Sequence, residues 1–218
     1  MTLDPASLGS PAAHIRRSLG RPCFWVYFLR MRDWLHDIPD VITTERLLIR
    51  PHQAGDGAAY FQAIVESVDD LRRWPAAMGW ALAEQTLDGT EAFCRACRIA
   101  FDERQDFPLL ITLRDDQTIV GSSGLHRPDW SVPKLEIGWW GRSTYSGRGL
   151  ITEAVDAIIQ YAFEHLRARR VFALPDDENV ASWRICERVG MNYEGLLKHE
   201  RAEPDGTLRN TRLYASTR

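Results

Sequence analysis

The residues best suited to chemistry lie where a strand-like segment runs into a helix. Tyr145-Ser146-Gly147-Arg148-Gly149-Leu150 precedes an amphipathic stretch whose apolar positions are Ile151, Val155, Ile158, Ile159, Ala162 and Leu166. Two glycines ahead of a helix let successive backbone N–H groups point one way at its positive end. That is a ready seat for phosphate oxygens, to which Arg148 adds a mobile cation. A Gly-x-Gly pair alone is weak, because a tight turn needs no more. No Gly-x-x-x-x-Gly-Lys-Ser/Thr loop occurs and the third glycine of a dinucleotide fingerprint is missing, so neither an NTPase nor a dehydrogenase is supported. Cys94-x-x-Cys97 invites a zinc or redox reading, yet it lies inside a predicted helix without a second Cys or His pair at ligand spacing. Two small core residues one turn apart is the expectation, with no metal.

The elements that must position this turn begin near residue 43. A strand over residues 46–50 is closed by Pro51 and Gly55, and a helix over residues 58–67 buries Tyr60, Phe61 and Ile64. Asp88 or Thr90 is placed to cap a second helix that runs through Phe101. Residues 107–113 read as a strand, with Asp115-Asp116-Gln117 as the hairpin turn into residues 118–125. Further strands are expected at residues 135–140, 170–174, 192–198 and 208–215, and helices at 149–166 and 179–189, the last ended by Gly190. The order is mixed α/β with a hairpin-rich first half.

Residues 1–41 differ from the rest: they lack sustained periodicity, and Asp37-Ile38-Pro39-Asp40 breaks any helix. They read as a poorly ordered N-terminal extension to a domain at residues 42–218. Residues 23–29, between Arg21 and Arg30, have no small-residue cleavage pattern after them and are not read as a signal peptide.

A chain of 218 residues, 44% hydrophobic and 26% charged, suits one ordinary globular domain with a tail. With 27 basic against 30 acidic residues it carries no global positive field, so neither nucleic acid nor a membrane is an expected partner. Four irregularly spaced cysteines point to a reducing cytoplasm. No apolar run approaches the ~20 residues needed to span a bilayer.

What lifts the turn above a weak signal is its company. Leu135-Glu136-Ile137-Gly138-Trp139-Trp140, Gly147-x-Gly149, Thr152-Glu153-Ala154, Asn179-x-x-Ser182 and Glu187-Arg188-Val189-Gly190 resemble, in order and spacing, the RimJ/RimL-type branch of the GNAT N-acetyltransferases. Thr43-Thr44-Glu45-Arg46-Leu47 and residues 121–130 extend the match to roughly residues 42–217.

The resemblance implies an α/β fold, a mixed central sheet flanked by helices. Its fourth and fifth strands (residues 135–140 and 170–174) would splay apart to take acetyl-CoA, the co-substrate, in the gap. It places the pyrophosphate on the backbone of Ser146, Gly147, Arg148, Gly149 and Leu150, and the pantetheine arm along Trp139, Trp140 and Gly141 beside Asn179. Two positions depart from the pattern: Thr144 stands where many relatives carry Gln or Arg, and Cys186 where many carry the Tyr that protonates the leaving thiolate.

Acetyl transfer needs a neutral amine, a donor for the oxyanion and a proton for the thiolate. Ser182 is the hydroxyl that the resemblance supports as that proton donor; its alternative role is to complete the cap begun by Asn179. Glu136 is the candidate base, on the strand face shared with Gly138 and Trp140, or else it sits in a salt bridge. Glu200 competes with it, although the RimL-like base position falls one residue later, on Arg201. His126, Trp74 and Trp130 lie in connections that border the acceptor cleft of this family and are the candidate substrate contacts. The cleft itself is expected from residues 68–90, 126–133 and 200–206.

The expected activity is acetylation of a primary amine, foremost the α-amino terminus of a protein or peptide, by a monomer or homodimer. A small-molecule amine such as an antibiotic, polyamine or amino acid derivative, and a catalytically weak acyl-CoA-binding regulatory protein, are the alternatives.

Overall fold

The computed structural model describes residues 38–218, so the extension expected over residues 1–41 lies almost wholly outside the described residues. The strands are β1 (Ile42–Thr43), β2 (Leu47–Pro51), β3 (Phe107–Leu113), β4 (Ile119–Asp129), β5 (Lys134–Gly141), β6 (Arg170–Ala173), β7 (Asn192–Ala202) and β8 (Leu208–Thr217). The helices are α1 (Gly57–Arg72), α2 (Leu87–Asp102), α3 (Leu150–Glu164) and α4 (Val180–Arg188), with short 3-10 turns at Gly79–Leu82 and Ser143–Tyr145. Packing reaches back to Ile38, which is buried, and Tyr161 donates to the Pro39 carbonyl at 2.8 Å.

One sheet runs in the order β1-β2-β3-β4-β5-β6-β8-β7, antiparallel throughout except between β5 and β6. Successive residues of β5 show that both faces are covered. Trp140 packs in the core with Tyr60, Ala63 and Ile64 of α1, whereas a Cβ on Gly141 would press on Ile151 of α3. Burial on both sides explains why β3 is an unbroken apolar run and not an alternating one.

The predicted elements are present with three local differences. The buried stripe of α1 is Gly57, Tyr60, Ala63, Ile64, Ser67 and Leu71, which leaves Phe61 beside the stripe and only half-buried. Thr86, not Asp88 or Thr90, caps α2, accepting from the Gly89 N–H at 3.1 Å; Thr90 is a buried first-turn residue whose hydroxyl donates to the Thr86 carbonyl. The strands β7 and β8 extend beyond their expected ends, because each supplies the other's hydrogen bonds. Cys94 and Cys97 are both buried in the core, and burial pushes each thiol up to about 12. Among the described residues no three metal-ligating side chains come together, and no helix is long and apolar enough to cross a membrane.

The parallel pairing of β5 with β6 lasts only from Lys134↔Arg170 to Glu136↔Phe172. After Glu136 the two diverge: β6 stays with β8 through Ala173↔Tyr214, while β5 continues to Gly141 with no strand on that side among the described residues. These are the fourth and fifth strands of the splayed pair.

His52, just past β2, is buried edge-on to the stacked rings of Tyr60 and Phe93, with Cys94 Sγ 3.6 Å from Nδ1 and Ser122 Oγ 3.5 Å from Nε2. Burial lowers its pKa to about 4, against an opposing pull from Asp56. Between pH 6.5 and 4 the unfolded chain therefore binds a proton that the folded chain refuses, and stability is lost as the pH falls through that window. Urea unfolding at pH 6.5 and pH 5 should show a loss on the order of 2 kcal/mol from this group, and His52→Phe should flatten the dependence over the same range.

Candidate active site

Two cavities meet on β5. The first, about 1060 Å³, opens where β5 and β6 diverge. Its walls are Trp139, Trp140 and Gly141 of β5, the turn Ser146, Gly147, Arg148, Gly149 and Leu150 at the head of α3, and Asn179 and Ser182 at the head of α4. Trp74 also lines this cavity.

Gly147 and Gly149 have φ of +76° and +74°, a conformation that residues with a Cβ adopt at a cost. Nothing lies within 4 Å of a Cβ built on Gly147, and on Gly149 only Arg46 Nη2, at 3.7 Å. The glycines thus answer to backbone torsion and to open space, not to crowding. Gly149 caps α3 without any side-chain acceptor, so the first N–H groups of the helix remain available to an anion. The Arg148 guanidinium lies 4.8 Å from the centre of the Tyr145 ring. Thr144 turns away from the cavity and donates to Glu66, which Arg142 also holds.

A clamp fixes the turn. Glu153, in the first turn of α3, accepts from Thr44 Oγ1 at 2.5 Å, from the Arg46 N–H at 3.1 Å and from Arg46 Nε at 2.6 Å. The Arg46 guanidinium also donates to the Arg148 carbonyl at 3.0 Å. Partial burial opposes the charge on Glu153, but the hydrogen bonds from Thr44 and Arg46 outweigh it and hold the carboxyl below its ordinary range.

On the far wall, Asn179 caps α4 by accepting from the Ser182 N–H at 3.1 Å. The cap uses the amide of Ser182, and its hydroxyl has no hydrogen-bond partner among the described residues. Cys186, the buried residue of α4, lines neither cavity, and burial pushes its thiol up to about 12.

The second cavity, about 630 Å³, is lined by Tyr60, Trp80, Glu84, Phe93, Ser123 and His126 among others, and shares Met78, Trp139 and Trp140 with the first. His126 Nδ1 is 2.8 Å from Asp106 Oδ2. Glu136, opposite His126 in register, is buried and lines neither cavity; Arg127 donates to it from Nε at 3.0 Å. The register of β4 shifts after His126 and Arg127 takes φ +52°, which brings the guanidinium back over Glu136. The salt-bridge alternative for Glu136 is thus the arrangement present.

Trp130 lines neither cavity and meets the edge of Phe107. Glu200 is exposed on β7, and residues 200–206 reach neither cavity. Sequence reasoning passed over Asp106, Arg127 and His52. For Asp106 a signal existed: with Phe107 opposite Leu125, the residue before Phe107 falls opposite His126.

The family described as acetyltransferase (GNAT) domain matches residues 46–192. An uncharacterized N-acetyltransferase of Bacillus subtilis (strain 168), YnaD, is 29% identical over 157 residues, which is 72% of this chain and 85% of the relative. The structure of Mycobacterium smegmatis RimJ in complex with CoA-disulfide superposes with a TM-score of 0.73 at 25% identity, over 82% of this chain and 88% of that one. RimL, the ribosomal L7/L12 alpha-N-protein acetyltransferase in complex with coenzyme A, shares the fold with a TM-score of 0.74 at 16% identity, over 81% and 97% of the two chains.

The clamp predicts that Glu153→Ala lowers stability by about 1–2 kcal/mol in denaturant unfolding, since charge-assisted hydrogen bonds to a half-buried carboxylate are lost. Arg46→Ala added to that variant should cost less than Arg46→Ala alone, because the ion pair is already gone and only the bond to the Arg148 carbonyl is left to lose.

Proposed function

This chain belongs to the GNAT acetyltransferase family, and we propose that it transfers an acetyl group from acetyl-CoA to a primary amine, above all the α-amino terminus of a protein or peptide. The observation that carries this reading is the meeting of the two cavities at Met78, Trp139 and Trp140: a long channel under an anion-seeking turn on one side, an acceptor-sized chamber on the other. The residues present fit acetyl-CoA. The turn of Ser146 to Leu150 offers backbone N–H groups to the pyrophosphate, and the unpaired edge of β5 from Trp139 to Gly141 offers its backbone to the pantetheine arm. Asn179 stands across the channel.

In this reading Ser182 gives a proton to the departing sulfur, a role supported by its unengaged hydroxyl on the channel wall. Thiols titrate near ~8.5, so the hydroxyl assists a leaving group that is already good. The acceptor follows from proton energetics. An α-amine titrates near ~7.7–8.0 and a lysine side chain near ~10.4, so at about pH 7.5 neutralising the lysine costs roughly 4 kcal/mol. A carboxylate able to meet that cost would have to be desolvated and unpaired, and Glu136 is tied to Arg127. The RimJ and RimL neighbours support the same acceptor class. The buried free thiols of Cys94, Cys97 and Cys186 suit a cytoplasmic location.

The test is turnover on matched peptides with free or blocked N-termini, with and without lysine, between about pH 6.5 and 9.5. Free N-termini should be the better acceptors near neutral pH; preferential acetylation of lysine in N-blocked peptides would overturn the assignment. Ser182→Ala should keep acetyl-CoA affinity and lose about 10²-fold or more in turnover. Unchanged turnover would remove Ser182 from the mechanism.

A further inference from the structure

We infer that His126, oriented by Asp106, is the general base that takes the proton from the acceptor amine; this rests on the acetyl-transfer reading above. Asp106 Oδ1 and Oδ2 lie 3.0 and 2.8 Å from His126 Nδ1. A carboxylate only accepts, so Nδ1 carries the hydrogen and Nε2 of the neutral ring presents its lone pair. Among the described residues no donor pairs with Nε2. The ring occupies the space that two glycines leave: a Cβ on Gly124 would fall 2.6 Å from Nε2, and one on Gly138 would fall 4.0 Å from it. Gly138 adjoins Trp139, where the channel meets the acceptor chamber, and His126 lines that chamber.

The step balances. The amine nitrogen bonds to the thioester carbonyl carbon and the C–S bond breaks, so the acetyl group passes from sulfur to nitrogen. The proton on nitrogen goes to His126 Nε2 and then to water, while Ser182 supplies a proton to the sulfur and recovers one from water. No net proton is gained or lost. His126 would be the catalytic residue and Asp106 a positioning residue. Besides Asp106, the charged or titratable groups that line the chamber with His126 are Arg127, Glu84, Tyr60 and the buried His52, and Glu136 lies opposite it in register.

The experiment compares the parent, His126→Asn, Asp106→Asn, Asp106→Glu and Gly124→Ala, using whichever amine of a peptide and small-amine panel the parent acetylates. Acetyl-CoA affinity is measured by calorimetry alongside. His126→Asn should lose about 10²-fold or more in kcat while acetyl-CoA affinity stays within a few-fold, and its kcat should lack the parent's acidic limb. Asp106→Asn should also lose kcat, because its amide can donate to Nδ1 and drive the hydrogen onto Nε2, and Asp106→Glu should restore part of it. Gly124→Ala should lose kcat by displacing the ring with the dyad chemically intact. Parent-like kcat and pH profile in His126→Asn would overturn the inference, as would parallel loss of kcat and acetyl-CoA affinity. Preference of the parent for another amine would instead count against the N-terminal reading alone, and no turnover of any amine would overturn both.

Discussion

The structure turns on a strand that loses its neighbour. Backbone N–H and C=O groups inside a sheet must be paired, and β5 meets that demand on its β6 side only through Glu136. Beyond that residue the edge faces a cavity. The departure of β6 has local causes: Pro175 is the second residue after the strand, and Asp176, buried and held by Arg209, bridges to Thr211 of β8. The chain after β6 is thereby committed to the β8 side, and α4 closes the gap from across it. A ligand with amide groups of its own can complete the hydrogen bonding that the sheet leaves open.

The rest of the site follows from keeping that gap shaped. A helix N-terminus serves an anion only if its turn is held, and here the restraint comes from Thr44 and Arg46, 109 and 107 residues before the carboxylate they grip. This accounts for three signature segments at once: the Thr-Glu-Arg stretch ahead of β2, the Gly-x-Gly turn, and the Thr-Glu-Ala start of α3 are one mechanical unit. On the opposite face of β5, Trp140 packs with Tyr60 and Trp80, so the wall between the chambers is itself part of the core.

Much of this was legible because it rests on local rules. The apolar run of β3, the period of α3 and the glycine turn each carry their own signal, and the resemblance ordered them into one fold. What stayed hidden depends on which rival wins within one turn or on register. Thr86, Asp88 and Thr90 are all fit to cap α2, and no pattern tells which backbone leaves the helix. His126 and Trp130 were both expected in a connection, yet His126 lies on β4 and reaches the chamber, whereas Trp130 follows the strand and does not. Glu136 sits on the expected strand, and a shift in register after His126 decided that Arg127 would claim it.

Whether the turn at Gly149 and the open edge of β5 hold acetyl-CoA is decided by calorimetric titration of acetyl-CoA into folded Gly149→Val. A β-branched side chain in that left-handed position fills the approach to the head of α3 without entering the core. Affinity should fall about 100-fold or more, roughly 2.8 kcal/mol at about 1.4 kcal/mol for each tenfold. A folded variant that binds acetyl-CoA as tightly as the parent would contradict this placement of acetyl-CoA.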